Sequence, residues 1–268
     1  MKRNWLLALF FVLLIGVLAA CGGNADETDA DASDDANESD DKEVYTVATD
    51  NGYVPFEYID EDSGELVGFD IDLVSALADE VGVEIEFETL EFDGIVAGIS
   101  SGRFDIAIAG MTITEERKEE IDFTQPYYEA GLILAVQDGN DEIQSIDDVD
   151  GKTVATRTGS TSQEYLTENT DAEIEAFPAI IEAYQNVLAG RSDAVLYDLP
   201  NVLYYSEKDA DGELVTVGEK LTGEDYGIAF TKGSDLRDEF DDALTTLKEN
   251  GTYDDIYEEW FGERPEGT

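Results

Sequence analysis

The chain has 268 residues, 65 acidic and 15 basic, giving a formal charge of −50 at neutral pH; it contains no histidine and one cysteine. That charge excludes nucleic acid and anionic membrane surfaces as favourable partners. The missing histidine excludes Ser-His and Cys-His nucleophile systems and the usual zinc sites, and one cysteine excludes an intrachain disulfide.

From the amino end, Lys2 and Arg3 precede an apolar run, Trp5 to Ala20, that closes on small residues. This is the form of a secretory signal over residues 1–20, too short and wrongly flanked for a spanning helix. Leu18-Ala19-Ala20-Cys21-Gly22 resembles the bacterial lipoprotein box, which implies that Cys21 becomes the lipidated first residue; the other reading is an ordinary signal with an incidental cysteine. From Asn24 to Lys42, nine of 19 residues are Asp or Glu and no apolar periodicity runs through them. Such a segment cannot bury enough surface to offset its ordering entropy, so residues 21–43 are expected to form a lipidated, self-repelling, disordered tether. From Val44 onward 55 acidic residues still face 12 basic ones, so the acidity belongs to the folded surface. An acidic, lysine-poor surface of this kind is expected in a very salty habitat, where screening over a few ångströms removes the self-repulsion.

In the body, Val44 to Thr49 alternates as a strand. Asp70 to Val81 sets Leu73, Val74, Leu77, Ala78 and Val81 on one helical face with Gly82 as its stop, and Val83 to Glu88 alternates again. A helix over about 93–101 leads to an apolar strand, Asp105 to Ala109. This strand-helix order predicts parallel strands in an α/β layer, with binding residues beyond their carboxyl ends. There stand Gly110, Thr112, Thr114 and Arg117: a glycine that lets backbone approach a ligand, hydroxyls, and a guanidinium fork matched to a carboxylate. The same residues also fit a plain strand-turn-helix, with Thr114 as N-cap and Glu115 and Glu116 complementing the helix dipole. After Tyr128 the grammar repeats, with strands at 153–156, 174–177, 194–197, 214–217 and 226–230 and helices at 161–168, 179–189 and 201–205. The end is helical, with Leu236, Phe240, Leu244 and Leu247 on one face, a stop at Asn250-Gly251 and a short aromatic helix to Phe261. Two α/β units imply two lobes with a cleft. No phosphate- or dinucleotide-binding glycine loop is present, and the clusters Asp60-Glu61-Asp62 and Asp147-Asp148-Val149-Asp150 lack calcium-loop spacing, so neither cofactor nor metal is expected.

Several motifs then fall in register: Ala48-Thr49-Asp50, Val54-Pro55-Phe56-Glu57, Gly68-Phe69-Asp70, the stretch Asp105–Tyr128, Gly190-Arg191-Ser192-Asp193, Tyr226-Gly227-Ile228-Ala229-Phe230 and Trp260-Phe261-Gly262. Together they resemble the extracytoplasmic solute-binding proteins that feed polar amino acids to ABC importers, and within that family the glutamine-binding members. The resemblance implies a two-lobed α/β periplasmic-binding (Venus flytrap) fold with two hinge crossings, near Tyr127–Gly131 and Thr222–Tyr226. Lobe 1 would be 44–127 with 226–268, and lobe 2 would be 131–222. It further implies that Arg117 grips the ligand α-carboxylate with Thr112, that Asp198 and the carbonyl of Gly110, beside Ala109, take the α-ammonium, and that Tyr53 and Phe92 clamp the side chain. The other reading of Phe92 is core packing. Asp50 and Arg157, the latter at a lysine position of the family, reach the side-chain end. Tyr197 replaces a histidine, and Thr161 replaces a glycine whose amide meets the carboxylate.

With Arg117 and Asp198 satisfied by a zwitterion, a neutral amide suits Asp50 and Arg157 together, one accepting and the other donating. Glutamine is therefore the expected ligand, unless Asp50 and Arg157 pair with each other. The implied protein is a monomeric, lipid-anchored, extracytoplasmic binder of a free polar L-amino acid, working with an ABC permease by hinge closure and with no cofactor and no nucleic acid. Two other readings stand beside it: a cyclohexadienyl dehydratase-like enzyme, and a ligand sensor. The chain ends six residues after Gly262 with no membrane helix or signalling domain, so sensing would need a separate membrane partner.

Overall fold

A computed structural model describes residues 43–265, so the leader, Cys21 and all of the tether except Glu43 lie outside the described residues. Two five-stranded sheets carry the fold. The first runs in the order Glu84–Thr89, Val44–Thr49, Ile106–Ala107, Ala229–Thr231, Ile121–Phe123. Its first three strands are parallel, and Ala229–Thr231 lies antiparallel to both neighbours. The second runs Glu173–Phe177, Thr153–Arg157, Ala194–Asp198, Leu132–Gln137, Leu214–Val217. Again three strands are parallel, while Leu132–Gln137 is antiparallel to both of its neighbours. The strands that alternate with helices run parallel as expected, and each sheet also contains a strand antiparallel to its neighbours.

Helices cover both sheets for the reasons the spacing suggests. Phe69–Val81 buries Phe69, Leu73, Val74, Leu77 and Ala78, and Gly82 ends it in the left-handed conformation at φ 87°. Leu236–Asn250 buries Leu236, Phe240, Leu244 and Leu247, and Gly251 closes it at φ 86°. The aromatic helix Thr252–Phe261 docks through Phe261 and Tyr257 onto Phe69, Phe56 and Tyr128, with ring centroids 5.2–5.9 Å apart. Each such ring withdrawn from water contributes about 1.5–3 kcal/mol.

Two elements differ from expectation. No strand is expected at 132–137, yet Leu132–Gln137 lies inside the second sheet, between two other strands, and is buried at every position but the last. A strand covered on both faces reads as a uniform apolar run and shows no alternation. The strand expected at 226–230 is two strands, Asp225–Tyr226 and Ala229–Thr231, separated where the chain enters the first sheet.

The chain crosses between the sheets twice, and the crossings pair with each other, Asp225–Tyr226 running antiparallel to Tyr128–Glu129. They lie so close that a Cβ on Gly131 would stand 2.2 Å from the Thr222 carbonyl oxygen. Among the described residues no helix is long and apolar enough to cross a membrane.

Candidate functional site

Side chains from the carboxyl ends of both sheets converge. Asp50 follows the strand Val44–Thr49, Phe92 opens the helix after Glu84–Thr89, and Gly110 and Thr112 follow Ile106–Ala107. From the other sheet, Arg157 ends Thr153–Arg157 and Asp198 ends Ala194–Asp198. This is where ligands bind in open α/β sheets.

On the first side, the backbone at Gly110 has φ 52°, and a Cβ there would stand 2.3 Å from the Tyr53 ring. Glycine is thus required for two reasons at one position. The Gly110 amide donates to Asp70 (3.0 Å), as does the Tyr127 hydroxyl (2.8 Å), which fixes the loop from beneath. Burial raises the Asp70 carboxyl to about 6 against these two lowering bonds. Thr114 caps the next helix by accepting from the Arg117 amide (3.1 Å), and the Arg117 side chain turns back to donate to the Thr112 carbonyl (2.8 Å). The N-cap reading of this stretch therefore holds, and the capped turn carries the guanidinium back over the Thr112 carbonyl. Ala109 is buried in the first-sheet core with Ala48, Phe92 and Met111, so its side chain is packing.

On the second side, Asp198 is 5 % exposed, and one of its oxygens accepts from the hydroxyls of Tyr53 (2.9 Å) and Tyr226 (2.5 Å). Its other oxygen is buried without a hydrogen-bond partner. Burial first, and the charge of Glu224 second, raise this carboxyl to about 6. Burial also holds both tyrosine hydroxyls far above their ordinary range, so they stay donors.

Arg157 is 1 % exposed and donates to the Pro178 carbonyl (3.3 Å) and the Tyr197 hydroxyl (3.2 Å). Its remaining nitrogen forms an ion pair with Asp50, itself 6 % exposed. A free Asp50 and a free Arg157, each awaiting one half of an amide, are therefore not what the structure holds. Two opposite charges brought together out of water pair with each other. Asp50 is further held by the Asn51 and Gly52 amides. The Phe92 ring lies beside both guanidinium groups, 5.3 Å from that of Arg117 and 4.8 Å from that of Arg157, while its other contacts are core. Such cation–ring contacts are worth about 0.5–2 kcal/mol each.

Further links join the two halves. Arg117 donates to the Gly159 carbonyl (3.3 Å), and Asn201 donates to the Val54 carbonyl (2.6 Å). Thr112 and Thr161, one from each side, both donate to Glu224 (3.1 and 3.0 Å). Tyr226, Asn201 and Glu224 were not singled out from sequence as site residues. Tyr226 and Glu224 lie where the second crossing was expected, but nothing in their spacing marks the side chains. Tyr53, expected only as a ring, works here through its hydroxyl as well.

The profile of the bacterial extracellular solute-binding proteins, family 3, matches residues 45–263. The ABC transporter glutamine-binding protein GlnH of Bacillus subtilis (strain 168) is 35% identical over 276 residues, 99% of each chain. The L-cystine-binding protein TcyA of the same organism is 33% identical over 267 residues, covering 97% of this chain and 98% of its own. Among solved structures, an ancestral arginine-binding protein bound to arginine superposes with a TM-score of 0.78 at 43% identity, over 82% of this chain and 98% of that one.

Proposed function

We propose that this chain, which belongs to the bacterial extracellular solute-binding proteins, family 3, captures a free polar amino acid for an ABC importer by closing its two lobes on it. The observation that carries the proposal is Asp198. One oxygen is fixed by two tyrosine hydroxyls and the other is buried without a partner, within electrostatic reach of Arg117 from the other lobe. A zwitterion supplies what this arrangement asks for, its α-ammonium to Asp198 and its α-carboxylate to Arg117, Thr112 and Thr161. No bond is made or broken, so arogenate or prephenate incubated with the protein should be recovered unchanged.

Closure follows from which side each group comes from. Arg117, Thr112 and Phe92 can hold a ligand from lobe 1 alone, whereas Asp198, Thr161 and Arg157 reach it only when the lobes meet. The ligand therefore favours the closed population through differential affinity. At the side-chain end the Asp50–Arg157 pair cancels its own charge, and a neutral polar side chain leaves that pair intact. Glutamine is the ligand this favours. Lipidation of Cys21 would keep the binder beside its permease, and the mass of the mature amino terminus checks it.

A thermal-shift screen of the twenty L-amino acids tests the reading. Glutamine should give the largest upward shift, corresponding to about 2.7 kcal/mol at a hundredfold excess over Kd. No shift with any of the twenty would overturn the function. Run at low and at molar salt, the same curves examine the acidic surface, whose self-repulsion predicts a melting temperature that climbs with salt.

The Asp198 carboxyl gives a pH dependence with a defined sign. Raised to about 6 by burial, it holds a proton below that pH, while an ammonium partner needs it ionised. Affinity should be flat above about pH 7 and fall, by up to tenfold per unit, as pH drops through 6. Titration calorimetry from pH 5 to 8 checks this, and an affinity that rises on acidification would remove Asp198 as the ammonium acceptor.

A further inference from the structure

Two of the donors assigned above to the ligand α-carboxylate, the Thr112 and Thr161 hydroxyls, already hold a carboxylate, and it belongs to the chain. One oxygen of Glu224 accepts from the Thr112 hydroxyl of the first lobe (3.1 Å) and from the Thr161 hydroxyl of the second (3.0 Å). The negative charge of Glu224 also acts on Arg117 and Asp198, the two ends of the proposed clamp. Its backbone is fixed by the paired crossings: the Ala130 amide donates to the Glu224 carbonyl (2.6 Å), one residue before Asp225 pairs with Glu129.

We propose that Glu224 is an internal stand-in for the ligand α-carboxylate, bridging the lobes of the unliganded protein and setting the affinity of the site by competition. The inference rests on the functional reading above for the identity of the competing group. Two carboxylates cannot take the same two hydroxyl donors at once, because like charges in one partly desolvated seat repel. An entering amino acid must therefore displace Glu224. The fraction of protein in which Glu224 holds the seat then lowers the apparent affinity by that same fraction. Thr161 takes part because its hydroxyl supplies the second-lobe donor.

Glu224 is partly exposed and outside both sheets, so its replacement leaves the core untouched. Small-angle scattering of the ligand-free protein tests the bridge: Glu224→Ala should be measurably more open than the parent. Calorimetric titration with L-glutamine tests the competition: Glu224→Ala and Glu224→Gln should bind roughly tenfold tighter or more, the equivalent of one charged hydrogen bond no longer opposed. L-glutamine α-amide, which has no carboxylate to seat, should gain nothing. Superimposable scattering curves, glutamine binding no tighter in the variants, or an equal gain for the α-amide would each overturn the proposal. Absence of binding of any of the twenty L-amino acids in parent and variants alike would overturn the functional reading instead, with the scattering arm still deciding the bridge.

Discussion

Replacing Asp198 by alanine is expected to weaken amino-acid binding by roughly 3–5 kcal/mol, about two to four orders of magnitude, without lowering the stability of the fold. The loss is large because the α-ammonium would remain in a closed, desolvated cleft with its anionic partner gone. The fold survives for three reasons. Asp198 precedes the helix Leu199–Lys208, but its side chain makes no capping bond there. Tyr53 and Tyr226 keep each other as hydroxyl partners at 2.5 Å once the carboxylate is gone. The carboxyl itself is raised to about 6 by burial, so its folded-state contribution is present below its unfolded value and is lost as pH rises through 6. At pH 7.5 the variant should therefore melt no lower than the parent. Arg117→Ala should lose binding to a similar degree, since apart from its ligand role its side chain holds two backbone carbonyls, of Thr112 and Gly159, and lies beside the Phe92 ring. Titration calorimetry beside melting curves separates the outcomes, and binding that persists in either variant refutes the clamp.

Much of the fold is legible in the sequence because its two longest helices bury one face each and stop on glycines, Gly82 and Gly251. Leu73, Val74 and Leu77 ahead of Gly82 leave one reasonable choice, and the structure makes it. Leu132–Gln137 is illegible for the opposite reason, as burial on both faces erases the period that would reveal it. In the site, Arg117 is readable locally, since its cap and its glycine turn sit within eight residues of it. Asp198 is readable only through resemblance to a family, because nothing around it in sequence says that a tyrosine 145 residues away will reach its carboxylate. Glu224 is hidden more deeply. Its side chain lies between two threonines of different lobes only because the two crossings pair, and that pairing leaves no periodic trace. Asp50 and Arg157 can both be identified as polar residues of the cleft, but nothing in their spacing, more than a hundred residues apart, says that they pair with each other.

That last distinction sets the second large effect. Arg157→Gln is expected to raise the preference for arginine over glutamine by about a hundredfold, and Asp50→Asn to raise the preference for glutamate over glutamine comparably. In the parent the two charges cancel inside the closed cleft. Removing one leaves the other buried and unpaired, at a cost of about 3–5 kcal/mol to the closed state with a neutral ligand. A ligand side chain of the missing sign restores the pairing and recovers much of that cost. Asp50 stays in place to receive it, since the Asn51 and Gly52 amides hold its carboxylate independently of Arg157. Arg157, freed in the opposite variant, stays anchored through Pro178 and Tyr197. The Asp50→Asn and Arg157→Gln double variant carries neither charge and should return to a neutral side chain, so the two single effects should not add. Competition titrations of glutamine, glutamate and arginine against all four proteins provide the check. Selectivities unchanged by either single replacement would mean that the pair lies apart from the ligand side chain and that the choice of amino acid is made elsewhere in the cleft.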